Sequence, residues 1–135
     1  MSVIVTDQGF APEDWNAGFD PLASVGPATR AVDLAHTDDP AVLADHLNHL
    51  ALIRVAFPAF SDGRAFTIAR RLRMMGYAGR LRAHGPVIAD QYAMLRRVGF
   101  DEAEIPDDIA ARQPAEQWRA RADWRAHDYQ GRLRA

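Results

Sequence analysis

Two hydrophobic periods alternate along this chain. Arg30-Ala31-Val32-Asp33-Leu34 reads as a strand, and Ala51-Leu52-Ile53-Arg54-Val55-Ala56-Phe57 as a second one. The second is mostly apolar, as a strand covered on both faces would be. Between them Asp39 suits an N-cap and Pro40 a first helical position, with Leu43, Leu47 and Leu50 following at helical spacing. Ser61 or Asp62 is placed to cap a second helix with Phe66, Ala69, Leu72 and Met75 on its inner face and Gly76 at its C-terminal end. Gly79 to Ala83 forms a shorter strand. Pro86 then opens a helix carrying Ile88, Tyr92 and Leu95 on one face, closed by Gly99, and Phe100 to Ile105 is the last strand, stopped by Pro106.

This order, β-α-β-α-β-α-β with short connections, predicts an α/β domain with a four-stranded, mostly parallel core over residues 28–107 and right-handed crossovers. The same order fits an open three-layer sheet or half of an eight-stranded barrel. Four strands cannot close a barrel, so exposed edges or a homo-oligomer that covers them are expected. Residues 1–27 read as an appendage: a hairpin through Val3-Ile4-Val5-Thr6, Asp7-Gln8-Gly9 and Phe10, then a loop anchored by Trp15, Phe19 and Leu22. Residues 108–135 read as a helical tail restarted by Pro114. Its stripe of Trp118, Arg125 and Tyr129 is a candidate surface for docking a partner, because such residues concentrate interface energy. The whole chain, 1–135, is expected to be one domain.

Composition narrows the chemistry. The 135 residues are 48% hydrophobic and 25% charged, with a net charge of -2, an ordinary globular balance that gives no reason to expect nucleic-acid binding. All 16 basic residues are arginine. Cysteine is absent, so this chain can offer no thiolate nucleophile and no cysteine-held zinc or iron–sulfur centre. The start, MSVIVTDQGF, has no basic leader followed by an apolar stretch, and no segment approaches the ~20 apolar residues that span a bilayer. A cytoplasmic protein without membrane contact is the expectation.

Two blocks of residues are more specific. Phe57-Pro58-Ala59-Phe60-Ser61-Asp62-Gly63-Arg64 is followed by Ala69-Arg70-Arg71-Leu72-Arg73. Gly79-Arg80-Leu81-Arg82-Ala83-His84-Gly85 is followed by Asp90-Gln91 and by Arg97-Val98-Gly99-Phe100-Asp101. In order and spacing these resemble the bacterial family labelled domain of unknown function 934, most closely over Ala51 to Ile105, with Tyr129-Gln130 resembling a tail feature. That family carries the label of an oxidoreductase involved in sulfite reduction. The resemblance therefore implies a place in sulfur assimilation beside a sulfite-reduction enzyme, rather than any particular reaction. Thr67 stands where many members have serine, and Val98 where many have cysteine, so a family-wide thiol mechanism cannot operate in this chain.

In an open parallel sheet, ligands sit beyond the carboxyl ends of the strands. The segments predicted there are His36-Thr37-Asp38-Asp39, Pro58 to Arg64, His84-Gly85-Pro86 and Asp107-Asp108. Asp62, Gly63, Arg64, Arg82 and His84 are the candidates for binding an anion, since backbone amides at a helix start and a planar guanidinium both suit an oxyanion. Each also has an ordinary reading, Asp62 as a helix cap and Arg64 as an ion-pair partner. Asp90 and Gln91 could contact a ligand or tie a helix to the sheet. No catalytic residue stands out. Neither HExxH, GxGxxG nor a P-loop occurs, and His46 and His49 lie three apart on one helix, so no metal or cofactor is expected and the oxidoreductase label has no support from a residue. Three readings follow: an accessory protein of sulfite reduction, a small anion-binding module or enzyme working at the strand ends, or a structural homodimer of half-barrels.

Overall fold

A computed structural model describes residues 2–59 and 63–122. Its centre is a single seven-stranded sheet in the order β2-β1-β7-β6-β5-β4-β3. The strands are β1 (Ser2–Thr6), β2 (Gly9–Ala11), β3 (Asp20–Pro21), β4 (Ala31–Leu34), β5 (Leu52–Ala56), β6 (Arg80–His84) and β7 (Glu102–Pro106). The helices are α1 (Arg64–Met74), α2 (Tyr92–Val98), α3 (Asp107–Arg112) and α4 (Ala115–Ala120).

The expected α/β class holds, and β4 to β7 pair in parallel as neighbours in chain order. The expected extent does not, because the sheet has seven strands instead of four. The N-terminal hairpin joins it through β1, which pairs antiparallel with β7 and buries Ile4 and Val5. Residues 2–27 thus extend the sheet at both ends, with β1 and β2 beyond β7 and β3 as a parallel edge to β4. The first crossover also differs from expectation. Asp39 does cap and Pro40 does lead, with Asp39 Oδ1 accepting from the Ala41 amide at 3.0 Å, but the segment is a 3-10 helix over Pro40–Leu43 followed by turns. Leu43 and Leu50 are still delivered to the core.

Sequential parallel strands joined by right-handed crossovers place all their connections on one side of the sheet. The core follows suit. Val5, Val32, Leu34, Ile53, Val55, Leu81, Ala83, Ala103 and Ile105 alternate along their strands onto one face, where they meet Ala65, Ile68, Ala69 and Leu72 of α1 and Tyr92 and Leu95 of α2. The buried stripe of α1 follows the i, i+3, i+4, i+7 rule through Ala65, Ile68 and the expected Ala69 and Leu72, while Phe66 packs partly buried against the core and Met75 is the C-cap. Both helices end as predicted: Gly76 and Gly99 adopt positive φ of 102° and 117° just past the last turn. β5 is not covered by helices on both faces, since Arg54 points away from the core.

The tail belongs to this core as far as it is described. Trp118 on α4 is 0% exposed, lies edge-on to Tyr92 at 6.0 Å and donates its indole N–H to the Gln113 carbonyl at 2.9 Å. Its expected docking role is corrected accordingly, because a side chain sealed in its own domain offers no surface to a partner. Arg125 and Tyr129 lie outside the described residues. Among the described residues no helix is long and apolar enough to cross a membrane.

Where β6 leaves the sheet, Gly85 (φ 142°) turns under β5, and a Cβ added there would overlap the Phe57 carbonyl oxygen. Gly63, with φ -86° and nothing within 4 Å of an added Cβ, is under no such constraint. Gly85→Ala is expected to cost roughly 2–4 kcal/mol and Gly63→Ala less than about 0.5 kcal/mol. Urea unfolding of the two variants checks the contrast.

Candidate functional site

The opposite face of the sheet carries charge where a second hydrophobic layer would otherwise pack. Each of the four parallel strands places an ionisable residue at the same depth, so that Asp33, Arg54, Arg82 and Glu102 stand side by side in one lateral row. The next row toward the carboxyl ends holds Ala56, His84, Glu104 and, on β1, Ile4. Arg80 sits one row toward the amino ends, opposite Leu52. On β6 alone, strict alternation sends Arg80, Arg82 and His84 to this face and Leu81 and Ala83 to the core.

The row is bonded throughout. Arg54 grips Asp33 with two parallel bonds, Nε to Oδ1 at 2.6 Å and Nη2 to Oδ2 at 2.7 Å, and reaches Glu104 Oε1 with Nη1 at 2.9 Å. Arg82 gives Nε to Glu102 Oε2 at 2.6 Å and Nη1 to Glu104 Oε1 at 2.9 Å. Arg80 binds Glu102 from the other side, Nε to Oε1 at 2.7 Å and Nη2 to Oε2 at 2.9 Å. Ser2 Oγ donates to Glu104 Oε2 at 3.0 Å.

A strap over residues 12–19 closes the amino half of this face. Glu13 Oε2 accepts from Arg82 Nη1 at 2.6 Å and Asp14 Oδ1 from Arg80 Nη2 at 2.6 Å, while the Phe19 ring lies 3.8 Å beneath the Arg54 guanidinium carbon. Under this cover Arg82 is 0% exposed. Three guanidiniums, of Arg54, Arg80 and Arg82, thus face five carboxylates, of Glu13, Asp14, Asp33, Glu102 and Glu104.

The carboxyl half stays open around His84, whose side chain is 41% exposed and whose Nε2 lies 3.4 Å from Glu104 Oε2. Burial, and then the charge of Arg54, hold the imidazole below its ordinary value despite Glu104 and Asp33. Burial pushes Glu104 up, but its bonds from Arg54 and Ser2 and the charge of Arg54 outweigh that and leave its carboxyl below the usual range. The mouth therefore presents a neutral imidazole beside an ionised carboxylate and a charged guanidinium. That set can hold or pass a proton.

Of the residues singled out from sequence, Arg82 and His84 are brought together here through Glu104. Gly63 and Arg64 open α1, whose helix packs on the apolar face. Asp62 lies outside the described residues. Asp90 is exposed and pairs with Arg121 Nη2 at 2.8 Å. Gln91 Oε1 accepts from the Ile88 amide at 3.1 Å, so it closes the turn that leads into α2. Among the described residues no group of three or more His, Asp or Glu is arranged to hold a metal ion. Sequence reasoning passed over Asp33, Arg54, Glu102 and Glu104. Their signal was one charge within each of the apolar runs of β4 and β5 and two glutamates at alternate positions of β7.

The model of a bacterial family described as a protein of unknown function, DUF934, matches residues 31–135. The four charged strands lie within that span, and β1, β2 and the strap lie before it. No curated protein matches the chain, and no solved structure does.

A histidine neutral in the fold but free to charge when unfolded makes the unfolded state bind more protons. Its contribution is complete above the ordinary value of 6.5 and is lost as pH falls from there toward the lower folded value. His84→Gln is expected to flatten the decline of stability over that window, and the His84 resonance in an NMR titration is expected to midpoint below 6.5. A midpoint at or above 6.5 would contradict this electrostatic description of the mouth.

Proposed function

The chain belongs to the DUF934 family of bacterial proteins of unknown function, and from that premise we propose that it is a non-redox accessory protein of assimilatory sulfite reduction, working beside a sulfite-reduction enzyme. The observation that carries this reading is that the charged face is occupied by the chain's own carboxylates. The family motif Gly79-Arg80-Leu81-Arg82-Ala83-His84-Gly85 forms β6, and the guanidinium groups it supplies are engaged by Glu102, Glu104, Glu13 and Asp14 of the same chain. A face carrying more carboxylates than guanidiniums repels a free anionic substrate. That weighs against a resident sulfite site in this closed form.

Two further points support an accessory role. Reduction of sulfite to sulfide needs six electrons, and a cysteine-free chain cannot itself ligate an iron–sulfur centre to supply them. The open mouth around His84 and Asp33, both about 40% exposed at the side chain, is a polar surface suited to meeting another protein's polar rim.

Deletion of the gene in its native bacterium is expected to leave growth on cysteine unchanged and to slow growth with sulfite as the only sulfur source. Restoration by the wild-type chain in trans completes the expectation. Equal growth of the deletion strain on the two sources would remove the chain from the pathway.

A further inference from the structure

The strap over residues 12–19 is bound in an unusual way. Among the described residues no backbone hydrogen bond joins it to the sheet: β2 ends its pairing at Ala11 and β3 begins at Asp20. The strap has no regular structure, and Pro12, Glu13 and Asp14 are exposed. Its polar ties to the sheet are two side-chain carboxylates, Glu13 on Arg82 and Asp14 on Arg80. Its own conformation is held internally, with Glu13 Oε1 accepting from the Trp15 amide at 2.8 Å and Trp15 Nε1 donating to the Gly18 carbonyl at 2.7 Å. A segment secured by side chains alone opens at far less cost than one woven into a ladder.

Beneath it the two arginines are held ready. They project from the same face of β6 two residues apart, and Glu102 fixes both: Arg80 by Nε and Nη2, Arg82 by Nε. Glu104 takes a second bond from Arg82 Nη1. What the strap carboxylates occupy is the remaining capacity of Arg80 Nη2 and Arg82 Nη1. Arg82 Nη2 is buried with no hydrogen-bond partner and stands 3.6 Å from Asp14 Oδ1, near its carboxylate without bonding to it. An orphaned guanidinium N–H at a fully buried position is costly, and it aims at the space that the two strap carboxylates fill imperfectly.

We infer that Arg80 and Arg82 form a latent oxyanion site on β6, and that Glu13 and Asp14 are the chain's own stand-in for its ligand. The two carboxylates supply anionic oxygens at one end of a rigid, pre-oriented pair of forks. A small oxyanion with at least three acceptor oxygens, such as sulfite, sulfate or phosphate, matches that pattern and can also reach the Nη2 that the strap leaves unbonded. Departure of the strap removes two negative charges and leaves three guanidiniums facing the three carboxylates of Asp33, Glu102 and Glu104. The repulsion that bars an anion from the closed face is thereby lifted. This site is independent of the pathway assigned above: its failure would leave that role standing, and the reverse.

The test uses the full chain with Glu13→Ala and Asp14→Ala together, melted in sulfate, sulfite, phosphate and chloride at matched ionic strength. The double variant is expected to gain at least ~3 °C more than wild type, saturably, in the oxyanions and not in chloride. Comparison of the three oxyanions identifies which one the forks prefer. Adding Arg80→Gln is expected to abolish the extra gain. If the double variant does not fold in chloride, recovery on dialysis into an oxyanion, lost again with Arg80→Gln, gives the same support. An oxyanion response no larger than that of wild type, one that survives Arg80→Gln, or no recovery in any oxyanion overturns the inference.

Discussion

The guanidinium of Arg82 is sealed from water in the middle of a sheet, and the arrangement around it follows from keeping it paired. A buried charge without partners costs several kcal/mol. Arg82 therefore draws Glu102 and Glu104 from β7, the strand beside it, and Glu13 from the strap above. The first two carboxylates are in turn shared with Arg80 and Arg54, and Arg54 passes the network on to Asp33 at β4. Four strands separated along the chain are thus tied by one continuous chain of charge-assisted bonds. Removing Glu102 deprives both Arg80 and Arg82 of a bonded carboxylate, and removing Glu104 does the same to Arg54 and Arg82.

This layer also fixes registration. Parallel neighbours are weakly specified when both faces are uniformly apolar, because a slip then exchanges one hydrophobic residue for another. Here a one-residue slip of β6 would drive Arg80, Arg82 and His84 into the helix-covered core and Leu81 and Ala83 onto the charged face. Hydrophobic burial on one side supplies the bulk of the stabilisation, and the ionic row on the other makes a single alignment acceptable. The same row accounts for the recruitment of residues 1–27 into the domain, since Ser2, Glu13 and Phe19 all make contacts with members of the network.

Much of the framework was legible in the sequence because local chemistry decides it. Asp39-Pro40, Gly76, Gly99 and Pro106 punctuate the chain where the structure changes direction, and the apolar runs of β4 and β5 with the alternation of β6 and β7 mark the strands. What stayed hidden depends on partners distant in the chain. That β1 would lie against β7 rather than hang free is set by pairing across about a hundred residues, which no local period reports. Trp118 in an arginine-rich segment looks like an interface residue until the space beside Tyr92 is seen to be vacant without it. The charged face was missed because Asp33 and Arg54 each look like a lone polar residue in an apolar strand, and Glu102 and Glu104 like the solvent side of an alternating one. Only the lateral register turns them into a row. Gln91, by contrast, was expected to contact a ligand or to tie a helix to the sheet, and its bond from the Ile88 amide is a local one that closes a turn.

The account stands most directly on Glu102, the carboxylate that Arg80 and Arg82 share and that is 7% exposed at its side chain. Glu102→Gln keeps the shape and removes the charge, leaving two guanidiniums short of a partner. Equilibrium urea unfolding is the measurement. The account predicts a loss of about 3–5 kcal/mol with the slope of the transition unchanged. A loss below about 1 kcal/mol would mean that the ionic row decorates a sheet held by its hydrophobic face alone, and would contradict it.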